Sequence, residues 1–291
     1  MDKCLLPEDD GLTVRPSGDW AQDKLFYVKH YIETFEKSMR KREWRRRIYI
    51  DLFAGPGKCV DRDTQEYFLG SPLLALTTEY PFTDYFFVDM DKENLEALKI
   101  RSRKTMVPEN KIRFLDGNAS KVVYEVTQEI RKIDSQYIPG VWPSLNLAFL
   151  DPNGLELEWN VAELAQMKRM DLIIHYSQQG IERMAKRSIN SQNETTLDRF
   201  FGDDGWKDIY NKHKDSASGY HRPLINHYKS KLKKLEYVEV KDDEEIWTEP
   251  LMRNQKNAPL YRLLFASKSE LGIKFWKDIT RIKRSGQIQL L

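Results

Sequence analysis

The chain is short of almost everything that would give a quick functional assignment. It has two cysteines, Cys4 and Cys59. That is too few for a disulfide framework or a cysteine metal cluster, and it fits a reducing compartment. Its five histidines show no His-Glu-x-x-His spacing, so a metal site of that type is not expected. No Gly-x-Ser-x-Gly elbow and no Walker lysine loop occur, which leaves hydrolase and NTPase readings without a motif. There is no Pro-Cys dipeptide, and Cys59 reads as an inert thiol rather than a nucleophile. No apolar run approaches the roughly 18 residues that suggest a membrane span. The opening MDKCLLPEDDGLTVRPSGDW is polar and lacks the apolar centre of a signal peptide, so a cytoplasmic location is expected. Charge of one sign is missing too. The 47 Lys and Arg against 45 Asp and Glu leave +2, and net charge alone does not call for a nucleic-acid partner.

What is present is enough apolar sequence for a sizeable core: 40% of 291 residues, with 32% charged. Residues 1–47 read as an irregular arm of 18 residues followed by a helix over 19–46. Asp19 is its candidate cap, and Trp20, Leu25, Val28, Ile32 and Phe35 recur at helical spacing. From 48 to 291 the pattern is that of one α/β domain. Short apolar runs at 48–53, 85–89, 112–115, 147–151 and 172–175 read as strands. Helical patterns separate or flank them at 72–78, 93–104, 120–132 and 161–167. Such alternation predicts a doubly wound, mostly parallel sheet, with ligands at the carboxyl edge near the strand-order reversal. Residues 178–222 are polar with helix-like pieces and read as a helical insertion or cap over that edge. Strand patterns return at 237–240, 245–251 and 260–266, followed by a helix over 274–284. The alternation in EIWTEPL and LYRLLFA predicts an antiparallel hairpin at the sheet end.

The strongest local signal follows the first strand of this domain. Asp51 is followed by Leu52 and then by Phe53, Ala54, Gly55, Pro56 and Gly57. The two glycines permit a tight turn and close approach of a ligand. The third glycine of a dinucleotide fingerprint is missing, which argues against a pyrophosphate. S-adenosylmethionine (SAM) has no phosphate and carries positive charge at its ammonium and sulfonium, which suits the carboxylate of Asp51. After the second strand, Asp89 with Met90 is placed to accept hydrogen bonds from ribose hydroxyls, while Asp91 is placed to cap the next helix. Residues 59–70 read as an extra loop between these elements. After the third strand, Asn118 with Ala119 either contacts adenine or caps a helix. After the fourth, Asp151, Pro152, Asn153 and Gly154 match the first half of the (Asp/Asn)-Pro-Pro-(Tyr/Phe) loop of amino-group methyltransferases. That loop orients a target nitrogen, an effect chiefly of positioning. A strand ending in a plain Pro-Asn-Gly turn fits the same four residues.

A parallel sheet closed by an antiparallel hairpin is typical of class I methyltransferases. The opening Trp20…Lys24…Tyr31 and the blocks YIDLFAGPGKC, GSPLLAL, FFVDMD, FLDGNA, FLDPNGLELEW, DLIIHYSQQGIERM and FFGDDGW, in this order, resemble the three-Cys-motif partner (TcmP) family. The resemblance implies a class I, Rossmann-like methyltransferase fold with SAM as cofactor. It also implies pairing with a separate three-cysteine protein, for which an iron–sulfur protein is one candidate. Family members carry an aromatic residue at the position of Asn153 and an acid at that of Asn118.

The expected activity is SAM-dependent methylation of a nitrogen, with a nucleic-acid base as the favoured target. The alternative is a non-catalytic partner module for a three-cysteine protein in a phage- or defence-related system. A nicotinamide-dependent oxidoreductase shares the strand–turn–acid pattern but lacks such a hairpin. Two further features stand out. The run KSMRKREWRRR at 37–47 reads either as a solvated helix face or as a phosphate-contacting surface with Trp44 for stacking. His175, at a strand end, reads as a hydrogen-bonded edge histidine or as a base.

Overall fold

The structure is a computed structural model that describes residues 2–159, 162–217, 219–238 and 248–286. In chain order it begins with β1 (Arg15–Ser17), α1 (Trp20–Met39), β2 (Arg47–Asp51), β3 (Lys58–Asp61) and β4 (Tyr67–Leu69). Next come α2 (Ser71–Leu76), β5 (Asp84–Asp89), α3 (Lys92–Ser102), β6 (Ile112–Asp116) and α4 (Ala119–Asp134). Then follow β7 (Leu145–Leu150), α5 (Ala162–Ala165), β8 (Met170–Tyr176), α6 (Gln178–Ser188) and α7 (Thr196–Phe201). The last described elements are α8 (Trp206–His213), α9 (His221–Lys233), β9 (Leu251–Arg253), β10 (Pro259–Ala266) and α10 (Glu270–Thr280).

The five expected strands all form: β2, β5, β7 and β8 as largely apolar runs that a sheet covered on both faces buries, and β6 at the sheet edge, where Arg113 and Asp116 are exposed. Seven strands are ordered β6-β5-β2-β7-β8-β10-β9. Pairs from β6 through β8 are parallel. β10 runs antiparallel to both β8 and β9. This is the doubly wound class I methyltransferase topology with its terminal antiparallel pair. Strand order reverses between β2 and β7, so their carboxyl ends, Asp51 and Leu150, bound the crevice where such sheets bind ligands.

Side chains alternate across the sheet with period two. Ile48, Ile50, Val88, Ala148 and Ile174 face one core cluster. Tyr49, Phe87, Leu147, Phe149 and Ile173 face the other. The first core is roofed by Val123 and Ile130 of α4 and by Phe200, Trp206 and Tyr228 of α7, α8 and α9. The second is roofed by Tyr31 and Phe35 of α1, Leu73 of α2, Leu98 of α3 and Trp276 of α10. Much of the segment expected as an insertion is therefore a packed layer of the domain, because its aromatic residues sit on the inner faces of short helices.

The arm and the extra loop depart from expectation. β1 pairs in parallel with β3, and β3 pairs antiparallel with β4, so a small three-stranded sheet replaces irregular chain. Helix α1 stops at Met39 because the following backbone pairs elsewhere: Arg45 N donates to Trp142 O and Trp142 N to Glu43 O, each at 2.7 Å. Asp19 makes no cap hydrogen bond, and its carboxylate meets Arg284 at 2.8 Å instead. Of the strand expected at 237–240, Tyr237 and Val238 lie outside any strand and the rest lies outside the described residues. Residues 245–247 of the next expected strand also lie outside them, and β9 begins only at Leu251. Among the described residues, no helix is long and apolar enough to cross a membrane.

Candidate functional site

The turn after β2 is held from three sides. Oδ1 of Asp51 accepts from Phe53 N at 3.2 Å, and Oδ2 accepts from the Ser71 hydroxyl at 2.6 Å. Ala54 N donates to Val88 O at 2.9 Å, and Gly55 N donates to Oδ2 of Asp89 at 2.7 Å. Gly57 O accepts from Gly70 N at 2.7 Å. Both turn glycines use positive φ, +63° at Gly55 and +85° at Gly57, a region L side chains avoid. A Cβ on Gly57 would stand 2.8 Å from Leu98 Cδ1, whereas none within 4 Å would meet a Cβ on Gly55. Gly55 is thus open and Gly57 is packed.

Asp51 is fully buried behind Ser71, and burial pushes its carboxyl up to about 7. The Ser71 and Phe53 hydrogen bonds oppose that shift. Ser71, not Asp51, lines the cavity described below. Asp89 is half-buried. Its Oδ1 accepts from Asp91 N at 2.8 Å and from Asn94 Nδ2 at 3.2 Å, while Asp91 caps α3 through Glu93 N. Met90 is 67% exposed beside it. Asn118 caps α4 by accepting from Ser120 N at 2.8 Å, and Ala119 is buried beneath it.

Opposite the glycine turn, the segment after β7 carries a buried charge cluster. Lys24 of α1 pairs with Oδ2 of Asp151, both side chains being at most 10% exposed. Oδ1 of Asp151 lies 3.6 Å from Nδ1 of His175. Burial favours the neutral form of Asp151, but Lys24, His175 and Arg15 outweigh it and hold the carboxyl below its usual range. His175 Nδ1 donates to Pro152 O at 3.1 Å, which leaves Nε2 as the acceptor. Burial pushes His175 down to about 4, against the pull of Asp151, so its ring is neutral at pH 7. Asn153 Oδ1 accepts from Arg15 of β1, and Gly154 N donates to Glu156 Oε2 at 2.6 Å.

These two halves share one cavity of about 260 Å³. Ala54, Gly55, Pro56 and Gly57 form one wall, and Asp151, Pro152, Asn153 and His175 form another. Trp20 and Lys24 of α1, Arg183 of α6 and Arg62 also line the cavity. Asp89, Met90, Asn118 and Ala119 line the adjoining carboxyl rim rather than this cavity. Cys59 also lines it, but burial pushes its thiol up and keeps it protonated. Two of these lining residues each carry a buried acceptor, Asp151 Oδ1 and His175 Nε2, with no hydrogen-bond partner among the described residues.

Behind the turn, the N-terminal arm acts as a clamp. Arg101, fully buried, donates to Pro56 O at 2.5 Å and Thr13 O at 2.8 Å, and pairs with Asp10 at 2.7 Å. Lys58 meets the same carboxylate at 2.9 Å. Neither this clamp nor Arg15 emerges from the motifs, and Lys24, part of the opening block of the resemblance, carries no site role there. The available signal was Lys24 itself, a lysine one turn from Ala21 and Val28 on the buried face of α1.

No family model and no curated protein matches the chain. Solved structures do. Protein LPL1258 from Legionella pneumophila str. Philadelphia 1, of family DUF519, is 11% identical with a TM-score of 0.36, over 58% of this chain and 75% of that one. YcgJ from Bacillus subtilis is 14% identical with a TM-score of 0.29, over 82% and 95%. YjhP from E. coli is 10% identical with a TM-score of 0.31, over 84% and 99%. These likenesses concern the fold alone.

Proposed function

We propose that this chain is a cytoplasmic SAM-dependent methyltransferase whose acceptor is a nitrogen, that of a nucleic-acid base. The observation that carries the reading is a pair of buried acceptors without a hydrogen-bond partner among the described residues, Asp151 Oδ1 and His175 Nε2, on two residues that line the same cavity as the open glycine turn. Leaving such atoms unpaired costs about 1–3 kcal/mol each, and an amino group offers the two N–H donors that would satisfy them. When bound, SAM supplies an electrophilic methyl group on sulfur. The chain's own residues fit its ends: open Gly55 permits close approach, and Asp89, whose Oδ1 already accepts two hydrogen bonds and Oδ2 one, keeps one lone pair on Oδ2 for a ribose hydroxyl. Ionised Asp151 orients the acceptor N–H, and neutral His175 Nε2 takes the proton that N-methylation releases. Arg15, Arg62 and Arg183 at the cavity give the positive surroundings that a phosphate-bearing acceptor needs. The motif resemblance adds membership of the three-Cys-motif partner family, and with it a three-cysteine protein as partner.

The test is calorimetry with SAM, followed by transfer of a labelled methyl group to pooled DNA, RNA and protein. Binding with label entering nucleic acid supports the reading. Binding without transfer to any pool favours the non-catalytic partner module, and failure to bind SAM removes the reading altogether.

A further inference from the structure

A second groove lies on the opposite rim of the sheet, at the amino ends of β7 and β8. Leu145 and Met170, the first residues of those strands, line it, and its volume is about 300 Å³. Two tryptophans form its platform. Trp142 and Trp44 come from distant segments, yet the paired backbone hydrogen bonds at Arg45 and Trp142 lock them side by side. Their ring centroids are 6.0 Å apart. Trp44 Nε1 is held by Met39 O at 2.9 Å. Trp142 remains 49% exposed, uncommon for so large an apolar ring held this firmly. The guanidinium of Arg169 sits 5.3 Å from its centre, and the backbone of Arg169 is fixed by two hydrogen bonds from Asn146 at 2.9 Å. Arg42 and Lys168 complete the groove's cationic side, and among the described residues neither is in an ion pair.

We infer that this groove binds a nucleotide, with its base stacked on Trp142 and its phosphate held by Arg42 and Lys168. A rigid aromatic face costs little entropy on binding and accepts any base, while cations lining the same groove select an anionic ligand. An acidic lining would oppose this. Among the described residues the one acid lining the groove is Asp171; the Tyr31 hydroxyl donates to it at 2.7 Å, and burial pushes its carboxyl up to about 6. The ligand chemistry is shared by a free nucleotide and by a nucleotide within a single strand. The site is separate from the carboxyl-rim cavity and does not depend on methyl transfer.

The test is fluorescence anisotropy of short labelled oligothymidylate and oligouridylate, with 5′-AMP and adenosine as unlabelled competitors. The proteins are the full chain, Trp142→Ala, and Arg42→Gln combined with Lys168→Gln. Thermal unfolding and SAM titration serve as fold controls. The inference expects about tenfold weaker strand binding in Trp142→Ala, the size of one lost stacking contact. It expects the double variant to bind more weakly and with a shallower salt dependence. Competition by 5′-AMP but not adenosine identifies the free nucleotide as a sufficient ligand, and strand binding without that competition identifies the strand. No binding of strand or 5′-AMP overturns the inference. So does strand binding that Trp142→Ala leaves unchanged, in which case loss in Arg183→Gln would assign the strand to the other rim and leave the proposed methyltransferase standing.

Discussion

The amide of Gly55 donates to Oδ2 of Asp89 at 2.7 Å, so the turn after one strand and the carboxylate after the next are a single unit. Asp89→Ala releases the amides of both Gly55 and Asp91 and deletes the remaining acceptor site, on Oδ2, offered to a ribose. SAM affinity is expected to fall about tenfold or more, the cost of one to two lost hydrogen bonds to a charged group. Calorimetry checks this, and an unchanged dissociation constant would refute the unit's role in cofactor binding.

The two turn glycines should respond differently to alanine. Gly55 has positive φ in open space, so Gly55→Ala is expected to cost only about 1 kcal/mol of stability. Gly57 has the same strain, and its Cβ would also press on buried Leu98 and on Leu73 at 3.1 Å. Gly57→Ala should cost about 2–4 kcal/mol, adding overpacking to strain. Urea unfolding of the two variants side by side gives the difference. Equal losses would mean that Leu98 moves away freely.

Much of this arrangement was legible in the chain before its coordinates. Strands covered on both faces are largely apolar, so β2, β5, β7 and β8 and the residues at their carboxyl ends stand out, while β6 reads as a short apolar run at the sheet edge. Their register then brings the segments after β2 and β7 together across the switch point. What stayed hidden depends on tertiary pairing. The KCVD and YFL segments are too short to declare a sheet until the arm supplies β1 beside them. Asn118 carried two readings, and only its bond to Ser120 N shows it capping α4. Lys24 is 127 residues from Asp151, so no local pattern announces their pairing.

Asp10 holds two buried cations, Arg101 and Lys58. Burial opposes its charge, but those partners outweigh it and hold the carboxyl well below the usual range. The stabilisation is therefore fully present above about pH 4, the unfolded value, and is lost as pH falls below it. Asp10→Asn should cost about 3–5 kcal/mol near pH 7, since two buried charges lose their counter-ion. It should cost less at pH 3. Urea unfolding across that range tests this, and a loss independent of pH would contradict the clamp.

Asp51 has the opposite sign. Its carboxyl is raised to about 7 by burial, so the folded chain keeps a proton that the unfolded chain releases near 4. Its contribution to stability falls as pH rises from about 4 to 7. A cationic cofactor over Ser71 favours the ionised form. SAM affinity should rise with pH through about 7, and binding should release a proton below it. Calorimetry in buffers of different ionisation enthalpy measures that proton, and Asp51→Asn should abolish the release. Proton release that persists in Asp51→Asn would assign it to another group.

Lys24 sets the charge state of Asp151, and activity should report it. Asp151 is buried, and its carboxyl stays below the usual range only because Lys24, His175 and Arg15 outweigh burial. Lys24→Met removes the first of these and leaves the burial, so the carboxyl should titrate at a higher pH. If ionised Asp151 orients the acceptor amine, the acid limb of the kcat profile should move up, and the variant should lose about a hundredfold in kcat near pH 6 while recovering much of it near pH 8.5. Asp151→Asn, which cannot titrate, should lose a similar factor at both pH values and still bind SAM. Lys24→Arg, which restores the charge, should return the limb toward its original position. A Lys24→Met loss that is the same at every pH would mean that the lysine only packs α1 against the sheet, and that the amine is oriented by something other than this carboxylate.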